Sequence, residues 1–153
     1  MLAAVMIVVV LAAILLPTVA TILPRVEKAR CINNLRNLRV AFSGYATEGW
    51  PQVPREIRLG SREEEKWWLD TTEKDGLGLP RSIWICPTIQ RFFRSSPEKD
   101  RPLIHYLPTP FSGEPNKANQ PGLEKMPWFI EIGNAHGQGN LLVRQNGTVE
   151  PAP

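Results

Sequence analysis

Residues 1–23, MLAAVMIVVVLAAILLPTVATIL, carry no charge, and residues 24–46, PRVEKARCINNLRNLRVAFSGYA, continue them with an amphipathic pattern. The reading of this junction decides the fold. As an α-helix rising about 1.5 Å per residue, the uncharged run reaches roughly 35 Å, enough to cross a hydrocarbon core of about 30 Å. Its apolar residues fall on every side, so lipid or other helices must cover it. A cleaved secretory signal is the alternative. No Lys or Arg precedes the run, and the residues around Ala20 make a poor cleavage site, so a retained membrane helix is expected.

Beyond Pro24, Cys31, Leu35, Leu38, Phe42 and Tyr45 recur at steps of 4, 3, 4 and 3, which places them on one helical face. Asn33, Asn37 and the arginines occupy the other faces. The pattern predicts a helix from about Val26 to Ala46, stopped by Gly49 and Pro51. Pro17 and Pro24 each lack a backbone donor and are expected to break or loosen the helix between them, above all in an assembled state. Three regions follow: 1–24, a membrane or filament-core helix; 25–50, its amphipathic continuation; and 51–153, a small β-rich head.

The charge distribution does not indicate a nucleic-acid partner. The chain of 153 residues has a formal charge of +3, yet residues 25–40 alone carry +4, so the remainder is close to neutral at −1. Basic residues beside an apolar helix meet anionic lipid headgroups at about 1 kcal/mol each. No basic patch interleaved with aromatics occurs elsewhere. Taken literally, the positive-inside rule would hold Arg25, Lys28 and Arg30 in the cytoplasm with the head behind them.

In the head, 15 prolines in the chain imply many turns, and five tryptophans supply large apolar area for a small core. Ser61 and Glu64 fit a capping box for a short helix over Arg62–Leu69, with Glu63, Glu64 and Glu65 forming a solvated first turn. Trp67 and Trp68 read as core anchors. SIWIC (82–86), LIHYL (103–107) and WFIEI (128–132) read as strands, the last with Trp128, Ile130 and Ile132 on its core face. A Pro-rich loop separates the last two. Asn140–Gln145, Asn146-Gly147 and Thr148–Glu150 predict a terminal hairpin with a type I′ turn, Leu141 and Val143 facing the core. The expected class is α+β: a long N-terminal helix, apolar then amphipathic, packed on a small antiparallel sheet.

These residues together resemble a family. An apolar helix running into RVEKARCINNLRNLRVAFSGYATEGWP (25–51) is similar to the prepilin-type N-terminal segment of type IV pilins. More narrowly, the chain resembles type II secretion pseudopilin-like proteins with a C-terminal element of His, nine residues, then Asp-Gly. Here that element is His136, Gly137 and Gly139 leading to Asn146-Gly147, with Asn146 where the family usually has Asp. Cys31 before Asn33-Asn34-Leu35 and the Cys86-Pro87 pair also match. The family's cleavage motif, Gly before an aromatic residue with a glutamate soon after, is not found. Residue 1 therefore either lies inside the true precursor or opens a divergent or minor subunit.

The resemblance implies a structural subunit held in the bacterial inner membrane and then polymerised through its N-terminal helix into a periplasmic or cell-surface filament. It implies as partners other copies of the chain, membrane lipid before assembly, an inner-membrane assembly platform and a prepilin peptidase. A membrane-anchored extracytoplasmic binding module is the alternative. In a domain outside the reducing cytoplasm, Cys31 and Cys86 are expected to form a disulfide pinning helix to sheet, worth roughly 2–5 kcal/mol.

Catalysis has little support. His105 and His136 are the only histidines, and a Cys/His nucleophile would need Cys86 beside one of them. His105 is expected to be a structural histidine, and His136 a hydrogen-bonding strut at the hairpin entrance. No cofactor or metal ligand is expected. Calcium is a minor possibility through Glu124, Glu131 and Glu150, which do not make a dense oxygen motif. The Asn146-Gly147-Thr148 sequon is better explained as a turn.

Overall fold

Helix α1 runs from Leu2 to Ala41, turns at Phe42, and is followed at once by the short α2, Ser43–Glu48. The computed structural model describes residues 2–114, 116–137 and 139–152; the side chains of residues 2–4, 16–18, 20 and 21 lie outside the description. The expected break at Pro17 and Pro24 is absent from this single chain, where α1 is continuous through both. Each proline subtracts one donor, and the intact turns on either side carry the helix across. Among the described residues no helix is long and apolar enough to cross a membrane. Within residues 1–23 the described side chains are those of Val5–Leu15, Val19, Ile22 and Leu23.

The two halves of α1 meet different surroundings. Val5 to Leu11, Ile14, Leu15, Val19, Ile22 and Leu23 are all exposed. From Cys31 onward the predicted stripe is fully covered: Cys31, Leu35, Leu38 and Phe42 have no exposed surface, and Ala46 follows them inward. Tyr45 is half-buried, with its hydroxyl donating to Asp75 at 2.5 Å.

The cover comes from a four-stranded antiparallel sheet in sequence order: β1 (Tyr106–Pro108), β2 (Pro127–Glu131), β3 (Leu141–Arg144) and β4 (Val149–Pro151). The α+β class is therefore as expected. The largest buried side chains of the core are aromatic. Phe42 alone meets the rings of Tyr45, Trp50, Trp68, Trp84 and Phe129, the last edge-on at 4.8 Å between centroids.

Helix α3, Arg62–Lys74, extends past the expected Leu69. Ser61 accepts the Glu64 N–H as an N-cap, and Glu64 reaches back to the Gly60 N–H at 2.5 Å. The glutamates are not a solvated turn. Glu64 is buried and also accepts from the Trp68 indole at 3.3 Å, while Glu65 accepts from the Leu103 N–H at 2.7 Å. Only Glu63 of the three is exposed. SIWIC is not a strand either. Arg81–Trp84 form a 3-10 turn, and Pro87 opens helix α4, Pro87–Phe92, with Cys86 as its N-cap. Proline lacks only an N–H that the first helical turn leaves unused, so Cys86-Pro87 starts a helix instead of ending a strand.

Two differences in the sheet follow, the first of which shapes the site. A bulge in β2 between Pro127 and Phe129 puts both Trp128 and Phe129 in the core. Beyond it the alternation is inverted from expectation, with Ile130 half-buried and Glu131 fully buried. The terminal turn is not type I′. The Gly147 N–H bonds Arg144 O and the Arg144 N–H bonds Thr148 O, both at 2.9 Å, and Gly147 alone takes positive φ, +82°. This is a three-residue loop, a type I turn closed by a glycine bulge. Asn146 Oδ1 accepts the Thr148 N–H at 2.9 Å, which favours the ordinary φ at that position.

Candidate functional site

Cys31 projects from the covered stripe of α1, and Cys86 caps α4. Their Cα atoms are 5.2 Å apart and the sulfurs are joined, so the expected disulfide forms. It closes a separation of 55 residues and ties the helix to the turn in front of α4.

Two further side chains converge on this bond. His136, in the loop from β2 to β3, places Nε2 3.6 Å from Cys86 Sγ and 3.3 Å from Glu131 Oε1. Glu131 comes from the end of β2, brought inward by the bulge. Its Oε2 accepts the Leu141 N–H at 3.3 Å, while Oε1 makes no well-formed hydrogen bond. One ligand atom from each of Cys31, Cys86, Glu131 and His136 lies within 4.8 Å of the others.

Burial governs the charge states. It pushes the Glu131 carboxyl up to about 7, against the Leu141 N–H and Lys28, which favour the ionised form. Burial also pushes His136 below the usual imidazole value, helped by Lys28 and opposed by Glu27. Both shifts favour the neutral partners, so near neutral pH the 3.3 Å contact between acid and imidazole is not a fully charged ion pair.

A second histidine supports the site from behind. His105 is 2 % exposed, and its Nδ1 accepts the Cys86 N–H at 2.9 Å. The same Nδ1 lies 3.2 Å from Cys86 O, so it faces both backbone polar groups of Cys86. Burial lowers His105 to about 4, so it is neutral. Its backbone bridges Trp84 O and the Ile132 N–H at 2.7 and 2.9 Å, holding the cap of α4 to the sheet. On the rim, Glu27 accepts from Thr88 at 3.1 Å and pairs with Arg91 of α4.

No family model, curated protein or solved structure matches the chain.

The candidate residues of the sequence fall into two groups. Cys31, Cys86 and His136 come together at one point. Gly137 and Gly139 sit beside it with φ of +70° and +92°; a Cβ on Gly139 would stand 2.9 Å from Ala152 O. Asn146 and Gly147 form the distant β3–β4 turn, where the Arg39 guanidinium reaches Gln145 O at 2.8 Å and ties it to α1. Glu131 was not expected in the site. An acid inside the apolar run WFIEI was the available signal, but strict alternation placed it facing outward.

Proposed function

We propose that this chain is a structural subunit of the pilin or pseudopilin kind, which polymerises through its N-terminal helix into a helical extracytoplasmic filament of the type IV pilus or type II secretion class. The observation that carries the reading is the division of α1. Its second half has its cover within the chain, whereas its first half exposes large apolar side chains on all described faces. Such a surface is not stable in water. Lipid would cover it in the precursor pool, and the same helices of neighbouring subunits would cover it in the filament.

A head at one end and a bare helix at the other make a contact of one surface with a different surface on the next copy. That contact is heterologous, so it propagates instead of closing. The inner-membrane pool, the assembly platform and the prepilin peptidase enter this reading through the prepilin-like segment at 25–51 alone. The disulfide pocket then serves as a fastening between helix and head, with no catalytic part.

The test is removal of detergent from the purified full chain, followed by negative-stain electron microscopy. Regular helical filaments are expected. Dispersed particles or irregular micelles would overturn the reading and favour a tethered binding module.

A further inference from the structure

We propose that the Cys31–Cys86 pocket is a zinc site when its disulfide is open, with the Cys31 and Cys86 thiolates, the His136 imidazole and the Glu131 carboxylate binding one Zn²⁺ in tetrahedral geometry. Disulfide and metal are then alternative cross-links at one point, the first joining α1 to the cap of α4 and the second taking in the end of β2 as well. The inference does not depend on the filament reading.

The donor chemistry comes first. Two sulfurs, one imidazole nitrogen and one carboxylate oxygen form a set that suits zinc, which takes four N, S or O ligands at about 2.0–2.3 Å. Ligands at those distances on a tetrahedron stand roughly 3.3–3.8 Å from one another. The Cys86–His136 and Glu131–His136 separations of 3.6 and 3.3 Å already fall there. The two sulfurs must part, and they project from separate elements, α1 and the cap of α4; every other pair of ligand atoms already lies within 4.8 Å. Calcium is a poor fit, because it seeks six to eight oxygens and this pocket offers one carboxylate.

Burial is the second, independent observation. Glu131 is fully buried, and its Oε1 faces the pocket without a well-formed hydrogen bond. A carboxylate oxygen in apolar surroundings needs a proton or a cation. Charge also balances. Two thiolates, one carboxylate and Zn²⁺ sum to −1, and Lys28 is close enough to act on both Glu131 and His136.

The opening step requires a dithiol reductant. One of its thiolates attacks a cystine sulfur, forming a mixed disulfide and releasing the other cysteine as a thiolate. Its second thiol then displaces the remaining cysteine and closes the reductant's own disulfide. Two electrons pass to the cystine. When Zn²⁺ binds, the protons of both cysteine thiols and of any protonated Glu131 leave to solvent.

The test uses the full chain in detergent, fully reduced by a dithiol that is then removed under anaerobic conditions. Cobalt(II) serves as the spectroscopic probe and zinc as its competitor. Expected are thiolate-to-cobalt charge-transfer bands in the near ultraviolet, intense visible bands of a tetrahedral ion, one cobalt per chain, and full displacement by one zinc. The disulfide form should give no such bands. His136→Asn and Glu131→Gln should each weaken zinc binding by about 10-fold or more, since even outer-shell changes cost that much. Absence of thiolate–cobalt bands in the reduced wild type would overturn the proposal without relying on any variant's folding. Equal binding by the disulfide form, or unchanged affinity in either folded variant, would overturn it too.

Discussion

The first and second halves of α1 are one continuous helix with opposite fates. Over Val5–Leu23 the described large apolar side chains are exposed, and over Cys31–Phe42 the stripe is sealed. Helix formation is common to both, so it cannot account for the difference. The sealed half has a single apolar stripe, which one sheet and one aromatic cluster can cover. The bare half is apolar all round, and no single surface of a small head can enclose it. The lesson is that the head's stability and, on the proposed filament reading, the contacts with partners reside in separate segments of one element. Substitutions should therefore separate them.

The largest effect is expected at Phe42, the hub of five ring contacts. Phe42→Ala removes a buried ring and leaves a cavity, and should cost the head about 3–5 kcal/mol in denaturant unfolding. A loss below about 1 kcal/mol would mean that the sealed half is not sealed. Replacing Cys31 and Cys86 together with Ala comes next. Releasing a 55-residue closure should cost about 4 kcal/mol on the chain-entropy account, read from the shift in unfolding midpoint.

The third effect is a pH dependence in the disulfide form. His105 titrates at about 4 in the fold, below the ordinary value of 6.5. Between those values the unfolded chain binds the proton and the folded chain does not. Stability from this group is thus fully present above pH 6.5 and is lost as pH falls through the window toward 4, by about 3 kcal/mol. His105→Gln should flatten the difference curve between variant and wild type above pH 6.5. It should also remove that part of the acid slope. An unchanged slope would show that His105 is not the neutral bracket behind Cys86.

Much of this arrangement was legible from spacing. The stripe Cys31, Leu35, Leu38 and Phe42, the α+β class and the Ser61 cap follow from helical periodicity, strand patterning and capping chemistry, while the cysteine pairing was expected from Cys31 on the stripe and from the compartment that the resemblance implies. What was not legible depended on single-residue offsets. The bulge at Trp128 reversed the faces of β2, turning Ile130 partly outward and Glu131 inward, and no alternation rule contains that extra residue. Cys86-Pro87 fits a strand end or a helix start equally well, and only the packing of α4 beside α1 decides between them. Asn146-Gly147 was a correct turn signal with the wrong turn, because Asn146 bonds the Thr148 N–H instead of taking positive φ. The meeting of Glu131 with His136 and the cysteines needed the bulge in β2 together with the helix start at Cys86-Pro87, and its one local sign was the acid inside WFIEI.

The most direct measurement of the central claim is a charge placed in the bare half. Leu11, 53 % exposed, touches no part of the sealed core. In Leu11→Asp the denaturant midpoint of the head and the sedimentation of the detergent-free protein are read on the same sample. The account predicts a midpoint unchanged within about 0.5 kcal/mol, as for surface substitutions generally, together with loss of the pelleting polymer that the wild type forms. A head destabilised well beyond that, or a variant that pellets as the wild type does, would contradict it.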